Sequence, residues 1–269
     1  MQYKFTRDRE NYEMYASGGV IYAAPGHTAF PVRLANEVFR RCLAFRAAQG
    51  MTGPCTLYDP CCGGAYHLTT LAYFNWNSIA RIIGSDIDED AVALARRNLS
   101  LLHSAGLERR IEELAALHER FGKPSHAAAL DNARILRQWL EQWSTQRRIE
   151  TAVFRADATD RRSLKAGLAG VRPDVVFTDI PYGWRSNWSP DTLALEAGID
   201  PVQALLDALL PELAPGAVVA VASNKTVKVQ HTGYRRIEKF KAGKRQLVIL
   251  ALEPDETGNS ARANPDSGR

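Results

Sequence analysis

The 269-residue sequence predicts an α/β protein on a mostly parallel, seven-stranded sheet with a C-terminal antiparallel hairpin. Three observations predict it. Near-continuous apolar runs such as Val175-Val176-Phe177 and Val218-Val219-Ala220-Val221-Ala222 suit strands covered on both faces. Segments of helical period alternate with them along the chain. Four of the strand segments end in, or run directly into, a carboxylate: Asp59, Asp86, Asp157 and Asp179. Open α/β sheets bind ligands at these carboxyl ends.

In chain order, residues 31–46 read as a helix with Pro31 in its first turn. Residues 55–59 are a short strand, followed by the loop Pro60-Cys61-Cys62-Gly63-Gly64 and a helix from about Tyr66. A strand over 79–86 leads into a helix over 89–102, with Val92, Ala95, Leu99 and Leu102 on one face. A helical insertion follows, 107–120 and 125–143, broken at Phe121-Gly122-Lys123-Pro124. Its stripe of Leu130, Ala133, Leu136, Leu140 and Trp143 is a packing face. Strands then recur at 151–156, 174–179, 217–222, 234–240 and 246–252, with helices at 161–169 and 201–213. The last two strands form a hairpin at the sheet edge. This divides the chain into an N-terminal helical extension (1–52), a core domain (53–252) with its insertion at about 104–148, and a polar tail (253–269) of disordered composition.

Composition narrows the classes. No stretch approaches the ~18 apolar residues of a membrane span, and the charged start MQYKFTRDRE is not a secretory leader. Cys42, Cys55, Cys61 and Cys62 have neither disulfide-framework nor zinc-ligand spacing, so free thiols in a reducing cytoplasm and no metal are expected. The net charge of +4 is unevenly spread: residues 225–245 carry eight cations against Glu238 alone. A one-sided basic patch fits a polyanionic partner; a solvated, lysine-rich edge strand would also produce it.

The loop after the first strand has neither a GxGxxG fingerprint nor a P-loop Lys-Ser/Thr, which argues against a dinucleotide or nucleoside triphosphate. A glycine loop preceded by Asp59, with Asp86 ending the next strand, suits a nucleoside carrying an amino-acid tail. Asp86 would accept from ribose hydroxyls.

Asp59-Pro60-Cys61-Cys62-Gly63-Gly64, Ser85-Asp86-Ile87-Asp88, Ala156-Asp157-Ala158 and Thr178-Asp179-Ile180-Pro181-Tyr182-Gly183 resemble motifs I to IV of the Rossmann-like S-adenosylmethionine (SAM)-dependent methyltransferases. The last is similar to the Asp-Pro-Pro-Tyr signature of enzymes acting on exocyclic amines, in the form of guanine-directed RNA methyltransferases. The stretch 24–35, the Cys61-Cys62 pair and the Phe121 to Ser125 break resemble the avilamycin-resistance (AviRa-type) rRNA methyltransferases, over about residues 18–252. The resemblance implies SAM as cofactor, held by Asp59, Gly63, Gly64, Asp86, Asp157 and Ala158. It also implies a guanosine of large-subunit (23S) rRNA, or the assembled subunit, as target, and resistance to an orthosomycin-type antibiotic as the outcome. A cytoplasmic monomer is expected. Where the family's motif I carries a second glycine this chain has Ala65, expected at φ below zero because a left-handed φ there would threaten cofactor affinity.

Asp179 and the Ile180 carbonyl could accept from an exocyclic N–H and pull the nitrogen toward sp³. Pro181 would stiffen the turn, and Tyr182 would offer a face to an extruded base. Trp184, Arg185 and Trp188 are expected to meet unpaired RNA, and Lys225, Lys228, Lys239, Lys241, Lys244 and Arg245 to hold its phosphates. His27 and His67 are read as neutral loop residues without partners. Two alternatives stay open: an N-methyltransferase for another RNA, DNA or a protein amide, and a non-catalytic SAM- or RNA-binding module.

Overall fold

The computed structural model describes residues 2–8, 11–16, 18–24, 29–180, 188 and 192–253. The tail 254–269 and the motif-IV residues Pro181 and Tyr182 lie outside them, as do Trp184, Arg185 and His27.

Seven strands form one sheet: β1 (Cys55–Asp59), β2 (Ile79–Asp86), β3 (Glu150–Arg155), β4 (Val175–Asp179), β5 (Val218–Asn224), β6 (Tyr234–Ala242) and β7 (Arg245–Leu252). Their order is β3-β2-β1-β4-β5-β7-β6. The first five are mutually parallel; β7 enters antiparallel between β5 and β6. The order reverses at β1, whose neighbours are β2 and β4, so the ligand crevice of a doubly wound sheet opens there.

Helices cover both faces. On one lie α1 (Val32–Ala48), α2 (Tyr66–Phe74) and α3 (Glu89–Ser100), packed on Leu57, Ile82, Phe177 and Ile249. The insertion, α4 (Ser104–Phe121) and α5 (Pro124–Ser144), adds an outer hairpin on the same side. Its break is Gly122 at φ +61 followed by Pro124 in the first turn of α5, as the sequence predicts. The expected stripe Leu130, Ala133, Leu136 and Leu140 is buried, and Trp143 stacks near Trp76 at 5.5 Å. The opposite face carries α6 (Arg161–Leu168) and α8 (Pro201–Leu209), with the short α7 (Leu193–Glu196) beside them. The 201–213 helix of the sequence reading ends at Leu209 and closes in a 3₁₀ turn, Leu210–Glu212.

The N-terminal extension is tied into the core by a charged residue in its interior. Glu37 of α1 is fully buried, where its carboxylate accepts from the backbone N–H of Lys4 (2.7 Å), Phe5 (2.9 Å) and Thr6 (2.9 Å) and from Arg41 Nε (2.8 Å). Burial alone would raise its pKa, but these donors outweigh it and hold the group at about 2. Arg41 also pairs with Glu238 of β6. The sole acid of the basic segment is thereby turned toward α1. Past a bulge between Arg236 and Glu238, β6 presents Lys239 and Lys241 on the other face, and both are exposed.

Candidate active site

The carboxyl end of β1 carries Asp59 into the interior. It is fully buried; Oδ1 accepts from Cys61 N–H at 3.0 Å and Oδ2 lies 3.3 Å from His67 Nε2. Burial pushes its pKa from the ordinary 3.8 up to about 8. The Thr178 hydroxyl and the Cys61 amide oppose that shift, while the fields of Asp86 and Asp179 add to it. His67 is a residue of α2, not of a loop, and it does have partners: Asp59 and, at 3.3 Å, the Phe177 carbonyl. Burial lowers its pKa to about 4, which keeps it neutral as expected.

The glycine loop is fixed by backbone bonds. Cys62 N–H donates to Ser85 O at 2.8 Å, Ala65 N–H to Cys62 O at 2.7 Å, and Gly63 N–H to Asp86 Oδ2 at 2.8 Å. Gly63 sits at φ +50. A Cβ on Gly64 would lie 2.6 Å from Leu94 Cδ2, so this glycine lets α3 pack directly on the loop. Asn98 of α3 donates to Gly64 O at 2.7 Å and exchanges hydrogen bonds with the backbone of Tyr22. The expectation for Ala65 fails. It stands at φ +53, the left-handed region, held there by its bond to Cys62 O and by full burial in the core. Such a residue stores about 1–3 kcal/mol of strain, which the surrounding contacts must offset.

Asp86 ends β2 with Oδ2 on Gly63 N–H and Oδ1 on Asp88 N–H at 3.1 Å. Asp157 differs. Its Oδ1 accepts from Thr159 N–H and Oγ1, both at 2.8 Å, and its Oδ2 from Leu193 N–H at 2.6 Å. It anchors the start of α7 to the β3–α6 turn, a structural task the sequence did not disclose. Ala158 is buried beside it.

Asp179 ends β4, 19% exposed, and its Oδ2 lies 3.5 Å from Arg245 Nη2. Ile180 is pinned by its N–H to Ala222 O at 3.0 Å. Arg245, 21% exposed, opens β7 and holds its guanidinium 5.1 Å from the Phe30 ring; Phe30 meets Phe177 edge-on at 5.5 Å. Two expected RNA contacts therefore change character. Arg245 turns inward to Asp179 rather than outward to phosphate. Trp188, 8% exposed, belongs to the apolar cluster of Ile180 and Leu205 and offers no open stacking face. Lys225, Lys228, Lys239, Lys241 and Lys244 are exposed, and none makes an ion pair among the described residues.

Asp59, Asp86 and Asp179 end neighbouring strands where the sheet order reverses; burial, with the fields of Asp86 and Asp179 added to it, holds Asp59 protonated near neutrality. A cluster of carboxylates at neighbouring strand ends is complementary to a cation. SAM fits it: a sulfonium and an α-ammonium on a nucleoside whose ribose offers hydroxyl donors to Asp86. Among the described residues no group of three His, Cys, Asp or Glu could hold a metal, and no helix is long and apolar enough to cross a membrane.

The chain is similar to known rRNA methyltransferases. A curated relative from Streptomyces viridochromogenes, named 23S rRNA (guanine(2535)-N(1))-methyltransferase, is 40% identical over 248 residues, covering 92% of this chain and 95% of the relative. Two structures of the rRNA methyltransferase AviRa of S. viridochromogenes superpose with TM-scores of 0.80 and 0.79, at 39% and 38% identity. Each match covers 93% of this chain and 96% of the other. The family model for rRNA methyltransferase AviRa matches residues 1–245. The chain belongs to the AviRa family of rRNA methyltransferases.

Proposed function

We propose that this enzyme transfers a methyl group from SAM to N1 of a guanosine in 23S rRNA. The observation that carries the reading is the placement of Asp179, at the end of β4, close enough to Asp59 for its field to act there. The relative's named target atom, N1 of guanine, refines the exocyclic-amine reading of the motif-IV string. N1 of neutral guanine carries a proton, and its lone pair is conjugated into the ring. A carboxylate placed at that proton is therefore a general base, and such a group contributes typically 10²–10⁴-fold.

Gly63, Gly64, Asp59 and Asp86 hold the cofactor in this reading, with Asp157 and Ala158 shaping the adenine end. When bound, SAM would supply an electrophilic methyl carbon for the N1 lone pair, with its sulfur as the leaving group. Asp179 takes the N1 proton and releases it to solvent after product departs. The Ile180 carbonyl, fixed by its own N–H, serves as a second acceptor for the base edge, and Pro181 and Tyr182, outside the described residues, are assigned to the base. Trp184 and Arg185 lie in the same segment and are assigned to RNA. The exposed lysines of the β5–β6 connection and of β6 track phosphates. The enzyme acts in the cytoplasm as a monomer, on free rRNA or on the large subunit, and protection from an orthosomycin-type antibiotic follows from methylating its ribosomal site. Mass mapping of 23S rRNA treated with enzyme and labelled SAM tests the reading: one N1-methylguanosine is expected, and label in DNA, protein or no acceptor would refute it.

A further inference from the structure

We infer that Arg245 and Asp179 act as a pair on the Watson–Crick edge of the target guanine, the guanidinium donating to O6 while the carboxylate takes the N1 proton. This rests on the N1-guanosine reading above. Arg245 is the last of the eight cations in the 225–245 segment, yet its surroundings set it apart. The lysines of that segment are exposed, whereas Arg245 reaches into the crevice, 3.5 Å from Asp179 Oδ2 and 5.1 Å from the Phe30 ring.

Its position is built, not incidental. Arg245 pairs with Asn224 across the β5–β7 ladder, two register steps from the Ala222 that pairs with Asp179. The next residue, Gln246, is buried and donates from Nε2 to Ser223 Oγ (3.1 Å), Asn224 O (3.0 Å) and Val227 O (2.5 Å), which locks the start of β7. Phe30 is braced in turn by Phe177 and His67. Among the described residues, charged groups that act on this site include Arg245 from β7 and Asp59 from β1, whose pKa the Asp179 field raises; the field of Asp86 of β2 also raises that of Asp59. His67 of α2 stays neutral.

The chemistry requires such a pair. When N1 of guanine loses its proton, the negative charge spreads onto O6, two bonds from the reacting nitrogen. A cation fixed at O6 stabilises that charge as it develops, and a preorganised group of this kind acts mainly in the transition state. Arg has five donors in a rigid fork, so it can keep Asp179 and reach O6 together. Adenine presents the reverse pattern, an acceptor at N1 and a donor at the C6 amine. Both protein groups would then face a like partner, which penalises the wrong base.

The test is single-turnover methylation of 23S rRNA at saturating SAM, from pH 6 to 9.5, with R245M and R245K. R245M should slow transfer about 10²-fold at pH 7, and the deficit should shrink as pH rises and solvent base removes the N1 proton. R245K should recover part of the rate, and the salt slope of RNA binding should stay parental. A parental rate and pH profile for R245M would overturn the pairing, as would a pH-independent loss accompanied by a shallower salt slope, the signature of a phosphate contact. If R245M fails to bind SAM, R245K decides by the same profile, a parental curve counting against the pairing. Failure of the underlying reading looks different: the parental enzyme itself would then place no methyl on guanine N1.

Discussion

The two ends of the sheet do opposite electrostatic work. The parallel half gathers acids at the tips of β1, β2 and β4, buries one completely, and raises its pKa to about 8. The antiparallel end, β6 and its turn to β7, sends its only acid inward to Arg41 and leaves lysines in solvent. A site for a small cationic cofactor gains from desolvated carboxylates, because a buried carboxylate that water cannot solvate interacts strongly with a cation. A surface for a polyanion needs mobile, hydrated charges, whose contribution is long-ranged and salt-sensitive. Arg245 joins the two regions: it originates in the basic hairpin and ends on the acid of β4.

The largest effect that would break this comparison is at Asp179. Asp179→Asn keeps size and turn but removes the base, and should cut the single-turnover rate by about 10²-fold or more. SAM affinity, measured by titration calorimetry, should change little. A near-parental rate would place the chemistry elsewhere.

Asp59 sharpens the acidic side. Its folded-state pKa of about 8 lies above the ordinary 3.8, so between those values the folded protein keeps a proton that the unfolded chain has lost. Stability of the ligand-free protein should therefore fall as pH rises through that window. A cationic ligand favours the ionised form, so affinity for SAM should rise toward pH 8, by at most about tenfold per unit for a single group, and then level. Calorimetry near pH 6.5 in buffers of different ionisation heat should detect a proton released on binding. Asp59→Asn should abolish both the release and the pH slope.

On the basic side, K239E, K241E and K244E together should flatten the salt dependence of RNA binding, each lost phosphate contact removing ~0.7–0.9 from the slope. Cofactor affinity should be spared. An unchanged slope would reduce the lysines to a solvated edge that blocks strand pairing.

The smallest effect is expected at Ala65. Ala65→Gly relieves left-handed strain but loses a buried methyl and frees the unfolded chain, so thermal unfolding should move by no more than about 1 kcal/mol. A larger stabilisation would mean that the loop is more strained than its hydrogen bonds imply.

Much of this is legible in the sequence. Asp59, Asp86 and Asp179 announce themselves because an apolar strand ending in a carboxylate is a local pattern, and the sheet assembles those ends side by side. Ala65 was misread because residue type gives only a preference for φ, while the Cys62 carbonyl and the core fixed the angle. The anchoring task of Asp157 is not legible in the sequence because its partner, Leu193 N–H, comes from a segment beyond β4. Glu37 gave no signal, since the amides that satisfy it belong to the irregular N-terminal strand of chain around Lys4 to Thr6. Arg245 looked like one more phosphate contact; its inward turn depends on β7 inserting between β5 and β6, a pairing no local spacing encodes.

The central claim is that the acid at the tip of β4 directs a methyl group to the Watson–Crick edge of one guanosine. Nucleoside mass spectrometry of 23S rRNA methylated in parallel by the parental enzyme and by Asp179→Asn tests it most directly. The account predicts N1-methylguanosine at a single position with the parental enzyme and about a hundredth as much with the variant in the same time. Equal yields from both, or methyl on the exocyclic amine instead of N1, would contradict it.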